Sequence, residues 1–270
     1  MRFHGIVLYT VFSAGVISAL SADSAPKVLA EDLQSHVLYA NSFNSADFMQ
    51  ECASGKLSPR NAGNRKIPFV KDGGILGGGI SLIDNHLVLE DPAFSMKNPR
   101  TYFIWFKYTP KSTGFSLISN RGTNSKNKSN FIQIITRITK NGSGIVRLRP
   151  LTQRYYLPGN TSGTDVIADD FQASWPTDQW HHVAVTSDGK RILFYLDGKR
   201  VGELRLNTLL TNEANLKFLS FGTYDKASPV LFDELIVFDS VLPVDCIEEY
   251  VDTVRVIAKR NAIIHDLKMR

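Results

Sequence analysis

The feature that most constrains this chain is a pair of aspartate–glycine turns on either side of one short apolar segment. Asp188-Gly189 and Asp197-Gly198 separate three stretches of β-forming residues: His181-His-Val-Ala-Val-Thr186, Arg191-Ile-Leu-Phe-Tyr-Leu196 and Val201 to Leu206. Aspartate and glycine accept the left-handed backbone of a two-residue hairpin loop. An Asp-Gly pair between alternating apolar residues therefore predicts adjacent antiparallel strands. Three strands in meander cannot bury a face alone, so a second layer has to cover them.

The rest of the chain supplies that layer. Strand signals recur at Val37–Phe43, Thr101–Tyr108, Phe115–Ser119, Phe131–Ile138, Ile145–Arg149, Leu216–Gly222 and Val230–Phe238. Asn141-Gly142 predicts another hairpin, and Asp84-Asn85 a turn between two strands within Ile80–Leu89. Residues 53–66, 120–130 and 158–170 read as loops. After Pro243 the period changes. Val244, Ile247, Val251, Val254 and Ile257 repeat at three and four, which predicts one terminal helix of about four turns, with the tail beyond Asn261 extending or fraying. Many short strands without alternating helices exclude a doubly wound α/β fold.

Composition bounds the class. In 270 residues, 43% are hydrophobic and 21% charged, which excludes global disorder. A basic Arg2, an apolar run from Gly5 to Leu20 and small residues at Ser21, Ala22, Ser24 and Ala25 predict a signal peptide over residues 1–25, leaving 26–270 as one domain. Cleavage after Ser21, Ala22 or Ala25 fits equally. The expected location is secreted or periplasmic, with no membrane span after cleavage. The net charge of +5 is spread among acids, so nucleic acid is not an expected partner. Export permits a disulfide between Cys52 and Cys246, one near each end of the domain. In the chain-entropy model such a bond stabilises by roughly 5 kcal/mol. Two separate thiols are the alternative.

A family pattern lies in the later strands. Trp180-His-His-Val-Ala-Val-Thr186, followed by Phe194-Tyr-Leu-Asp-Gly-Lys-Arg-Val-Gly202, resembles the concanavalin A-like/laminin-G-like superfamily. Leu231–Phe238 and Leu242–Tyr250 look like that family's last strand and following helix, and Thr101–Lys107 like its central aromatic strand. The resemblance covers roughly residues 37–252. It implies an all-β fold, a two-sheet antiparallel jelly-roll sandwich with a C-terminal helix. It identifies fold better than function, because the fold hosts lectins, adhesion modules and glycan-degrading enzymes.

Candidate chemistry rests on the polar residues of these strands and loops. Strand alternation puts Asp233, Leu235, Val237 and Asp239 on one face and Glu234 on the other, which makes no pair of facing carboxylates for glycoside cleavage. His181 and His182 are adjacent in a strand and point to opposite faces, so they do not chelate one ion. Gly73-Gly-Ile-Leu-Gly-Gly-Gly79 precedes a strand rather than a helix. Its glycines read as bends and close backbone approach, not a phosphate loop. No nucleophile elbow or metalloprotease motif is present, so the expectation is no enzyme. The resemblance implies Ca²⁺ at the sandwich rim, with Asp233 joined by Asn41 and Asn44. The alternative is that Asp233 hydrogen-bonds a loop. Tyr155, Tyr156 and Trp175 lie beside loops and are candidates to stack on sugars; burial is their alternative. Asn127, Asn141 and Asn160 sit in glycosylation sequons. The reading is an exported binding module for glycans or cell-surface proteins. The alternative is a structural or adhesive protein that acts through protein contacts.

Overall fold

A computed structural model describes residues 29, 31–49, 58–61, 66–82, 85–90, 98–108, 114–119, 133–138, 144–149, 172–176, 178–205, 218–223 and 230–269. The leader, Cys52, Tyr155, Tyr156 and the three sequons lie outside these residues.

The described chain forms two antiparallel sheets. Its strands are β1 (Val37–Asn41), β2 (Ser58–Asn61), β3 (Phe69–Val70), β4 (Gly79–Ser81), β5 (Asn85–Glu90), β6 (Arg100–Tyr108), β7 (Gly114–Ser119) and β8 (Gln133–Ile138). They continue with β9 (Gly144–Arg149), β10 (Gln172–Trp175), β11 (Trp180–Ser187), β12 (Arg191–Leu196), β13 (Lys199–Arg205), β14 (Phe218–Thr223) and β15 (Val230–Phe238). Two helices flank them, α1 (Glu31–Gln34) and α2 (Val244–Lys268). The eight-stranded sheet runs β13-β12-β11-β6-β15-β4-β3, with β1 also paired to β15. The seven-stranded sheet runs β10-β9-β8-β7-β14-β5-β2.

Alternation explains the layers. Ile104, Val183, Val185 and Phe194 of the larger sheet meet Leu87, Leu89 and Phe221 of the smaller one in a shared core. Phe103, Trp105, Ala184 and Tyr195, one residue out of phase, form a second core with Ile247, Tyr250, Val251 and Val254 of α2. The larger sheet is thus buried on both faces, which is why β6 and β15 read as near-continuous apolar runs.

The predicted meander is present. β11, β12 and β13 pair in sequence, and the turn at Asp197-Gly198 has φ 52° and 83°, the left-handed pair that the sequence motif requires. β8 and β9 pair as the expected hairpin.

Three expectations are corrected, and one open alternative is decided. The strands either side of Asp84-Asn85 do not pair: β4 joins β15 in one sheet and β5 joins β14 in the other. Ser58–Asn61, read as loop, pairs with β5 despite its polarity, because the edge of the sheet needs little burial. The terminal helix α2 runs 25 residues, the tail beyond Asn261 extending it rather than fraying. Finally, Asp233 does not share a face with Leu235 and Val237. The pairing of Asp233 with Trp105 and of Ile236 with Phe103 leaves one extra residue in β15, and Glu234 takes φ 53°. This β-bulge resets the alternation, so Leu235 and Val237 face the inter-sheet core while Asp233 lies on the side of Trp105.

Candidate functional site

The bulge sits at a gap in the sheet. β1 pairs with β15 as far as Asn41 opposite Leu235, and β4 takes over with Ile80 opposite Phe232. Between those two pairings lie Asp233 and Glu234, both fully buried. The glycine segment fills the gap. Asp233 Oδ2 accepts the Ile75 and Leu76 N–H groups at 2.8 and 3.2 Å, and Oδ1 accepts its neighbour Glu234 N–H at 2.9 Å. Asn44 Oδ1 takes the Gly78 N–H at 2.6 Å from the other side. Glycine is required here by contact. A Cβ on Gly74 would stand 1.9 Å from the Gly78 carbonyl oxygen and 2.4 Å from Asp233 Oδ2. The segment is therefore a close-approach element, as its sequence implied, and not a phosphate cradle.

The proposed calcium set comes together only in part. Asp233 and Asn44 hold the same glycine segment. Asn41 turns elsewhere: its Oδ1 accepts Phe43 N–H at 2.8 Å, and its Nδ2 donates to Tyr39 Oη and the Phe48 carbonyl. Each oxygen meant for the cation is aimed at an N–H, whose positive end would oppose a cation beside it. This arrangement does not fit a Ca²⁺ site, and it corresponds to the alternative of Asp233 bonding a loop. Burial pushes the Asp233 carboxyl up to about 8, with the three N–H donors working against that rise.

A second aspartate, partly buried, organises the turn between β12 and β13 of the same sheet. Asp197, in the β12–β13 turn, accepts His181 Nδ1 at 2.8 Å, the His182 N–H at 2.9 Å and Arg255 Nη2 of α2 at 2.9 Å. The far nitrogen of His181, Nε2, donates to the Pro176 carbonyl at 2.9 Å. Burial alone would raise the Asp197 carboxyl. The hydrogen bond and charge of His181, the His182 N–H and Arg255 reverse this and hold it below the usual carboxylate range.

His182 points the other way, as alternation predicts. Its ring packs against Phe103, Trp105 and Tyr250 with centroids 4.9, 5.1 and 5.4 Å apart, and neither ring nitrogen has a hydrogen-bond partner. Burial drives its pKa down to about 3, so it is a neutral core histidine.

This network reaches the backbone of the residue after Trp175. β10 is an edge strand of the seven-stranded sheet, with Trp175 opposite Gly144 and directly before Pro176. The chain leaves that edge at Pro176 and enters the larger sheet at Trp180, and His181 clamps the crossing. Cys246 is half-buried in the first turn of α2, where burial and the nearby Glu249, Asp32 and Asp245 push its thiol up. Its expected partner Cys52 is outside the described residues.

Sequence reading missed the role of Asp197. Its glycine partner marked a hairpin, and the hairpin explained the residue fully. The signal that remained was His181, one of several buried polar residues of β11 that needed a hydrogen-bond partner.

The model of the concanavalin A-like lectin/glucanases superfamily matches residues 79–248, from β4 to the start of α2. The chain belongs to this superfamily. Among solved structures, the concanavalin A-like sandwich is similar to domain 4 of an extracellular arabinanase from Geobacillus stearothermophilus, solved with arabinotriose. That match has a TM-score of 0.55 and 17% identity, and covers 80% of this chain and 98% of that one. The ligand-binding domain of botulinum neurotoxin serotype D, solved with N-acetylneuraminic acid, matches with a TM-score of 0.54 and 12% identity, covering 85% of this chain and 52% of that one. The binding domain of Paraclostridial mosquitocidal protein 1 matches with a TM-score of 0.54 and 15% identity, over 82% and 53%. The chain thus spans about half the length of the two toxin domains. At these identities the likeness shows the fold. No curated protein matches the sequence.

Proposed function

We propose that this superfamily member is an exported, non-catalytic recognition module that binds glycans at the sandwich rim beside β10, with Trp175, Tyr155 and Tyr156 as its stacking residues. The observation that carries this reading is the clamp on the crossing after Trp175: His181 Nε2 on the Pro176 carbonyl at 2.9 Å, backed by Asp197 and Arg255. A rim held by a hydrogen-bonded network is pre-organised, and pre-organisation lowers the ordering cost of binding. The sugar-bound arabinanase domain, matched over 98% of its length, supports the ligand class. A non-catalytic role is supported by the use of the two aspartates, since Asp233 and Asp197 both spend their oxygens on backbone and side-chain donors of the fold.

The test is a glycan array that includes arabino-oligosaccharides and sialylated glycans, run with Ca²⁺ and with EDTA. Saturable binding is expected, unchanged by EDTA, and weakened at least about tenfold by Trp175→Ala. Conversion of a bound polysaccharide to shorter products would overturn the non-catalytic reading. Self-association with no sugar bound would favour an adhesive protein instead.

A further inference from the structure

The contact between α2 and the larger sheet is mostly apolar, with a small polar cluster inside it. Ile247, Tyr250, Val251 and Val254 of the helix are buried with Phe103, Trp105 and Ala184 of the sheet. Among them lie Trp105 Nε1, both ring nitrogens of His182 and Tyr250 Oη. Each of these atoms is shut off from solvent, and none has a hydrogen-bond partner among the described residues. They belong together. The His182 ring centre is 5.1 Å from that of Trp105 and 5.4 Å from that of Tyr250. Burial raises the Tyr250 hydroxyl well above its ordinary value, the nearby Glu234 adds to the rise, and the Trp105 N–H works against it. Buried polar groups in folded proteins are nearly always paired, with protein or with ordered water.

These groups cannot satisfy one another. An indole N–H only donates. A neutral imidazole donates through one nitrogen and accepts through the other, and a hydroxyl does both. The fullest direct arrangement runs from the Trp105 N–H to Tyr250 Oη, and from the Tyr250 hydroxyl to one His182 nitrogen. The second His182 nitrogen is then an N–H without an acceptor, because the Trp105 nitrogen accepts nothing. The two nitrogens lie on different edges of the ring, so one hydroxyl does not serve both. Phe103, the other ring against His182, offers only carbon. The occupant that completes the set must therefore accept from an N–H, and it must fit where every polar atom is closed to solvent. It must also be uncharged. Asp233 and Glu234 both act on Tyr250, which disfavours an anion, and the indole N–H opposes a cation. Water meets these conditions, since a buried molecule makes about three hydrogen bonds, donating and accepting.

We infer that the contact between α2 and the larger sheet holds a binding site for water, in which an ordered molecule bridges His182 to Tyr250 and Trp105. The bridge joins three elements, since Trp105 belongs to β6, His182 to β11 and Tyr250 to α2. It gives a directional bond to a contact that apolar packing otherwise holds, and so fixes the seat of the helix on the sheet.

The test is a high-resolution crystal structure of the parent chain and of His182→Phe, which keeps a planar ring and removes both nitrogens. In the parent, water density is expected within about 3 Å of a His182 nitrogen and of Tyr250 Oη or Trp105 Nε1. In His182→Phe that density is expected to be lost. A parent in which protein groups pair both His182 nitrogens, or in which no water density touches the cluster, would overturn the inference. So would a His182→Phe variant that keeps the water in place, because His182 would then not be what holds it. Circular dichroism monitors folding, and if the variant does not fold, the density of the parent decides.

Discussion

Asp233 is a fully buried aspartate in a strand and Asp197 a partly buried one in a turn of the same sheet, and their surroundings oppose each other. Asp233 has N–H dipoles and no cation: three backbone donors, from Ile75, Leu76 and Glu234. Asp197 has the His181 ring and the Arg255 guanidinium besides one N–H. Dipoles satisfy hydrogen bonds without repaying the full cost of burying a charge, so the first carboxyl is pushed up and the second is held down. One aspartate closes a gap in a sheet. The other ties a helix and a loop crossing to a hairpin.

The largest effect that tests this contrast is removal of Asp233. Asp233→Ala leaves three buried N–H groups unpaired and releases the glycine segment, and is expected to destabilise by about 4 kcal/mol in denaturant unfolding. A loss below about 1 kcal/mol would show that the segment does not depend on that carboxylate.

Asp197→Ala is expected to cost less, about 2 kcal/mol, because the residue keeps some solvent contact. The pH dependences should have opposite signs. A carboxyl held low contributes above its unfolded value near 4, and that contribution fades as pH falls through the lower folded value. The stability gap between parent and Asp197→Asn should therefore narrow below about pH 4. For Asp233, raised to about 8, the contribution is complete below about pH 4 and is lost as pH rises toward 8. The parent should lose stability across that window relative to Asp233→Asn. Slopes of the same sign at both sites would break the comparison.

The smallest effect belongs to Arg255. It reaches Asp197 at 2.9 Å and lies 5.9 Å from the Trp105 ring centre, but its side chain is 43% exposed. Arg255→Ala is expected to cost less than about 1 kcal/mol, and raised salt should shrink the cost further. A larger loss would mean that the guanidinium, rather than His181, is what holds Asp197.

Local chemistry made most of the sandwich legible. The turn at Asp197-Gly198, the hairpin of β8 and β9, and the boundaries of β15 follow from neighbours in sequence, where turn residues and period act directly. β2, β3 and β10 were not legible, because a strand of two to four residues exists only through the pairing that a distant strand offers. The same distance hid the use of the candidate residues. Asn41, Asn44 and Asp233 stand out in sequence as polar groups on or beside apolar strands, and only the fold turned their oxygens onto N–H groups.

What the residues decided alone is which segments extend, where they turn, and that one face of each strand must be covered. What tertiary structure decided is which sheet each strand joins, as the parting of β4 and β5 shows. It also placed the bulge at Glu234, which reset the faces of the last strand. The physical reason is range. Backbone preference acts over a few residues, whereas a carboxylate's charge state and a strand's partner depend on groups brought near by the whole chain.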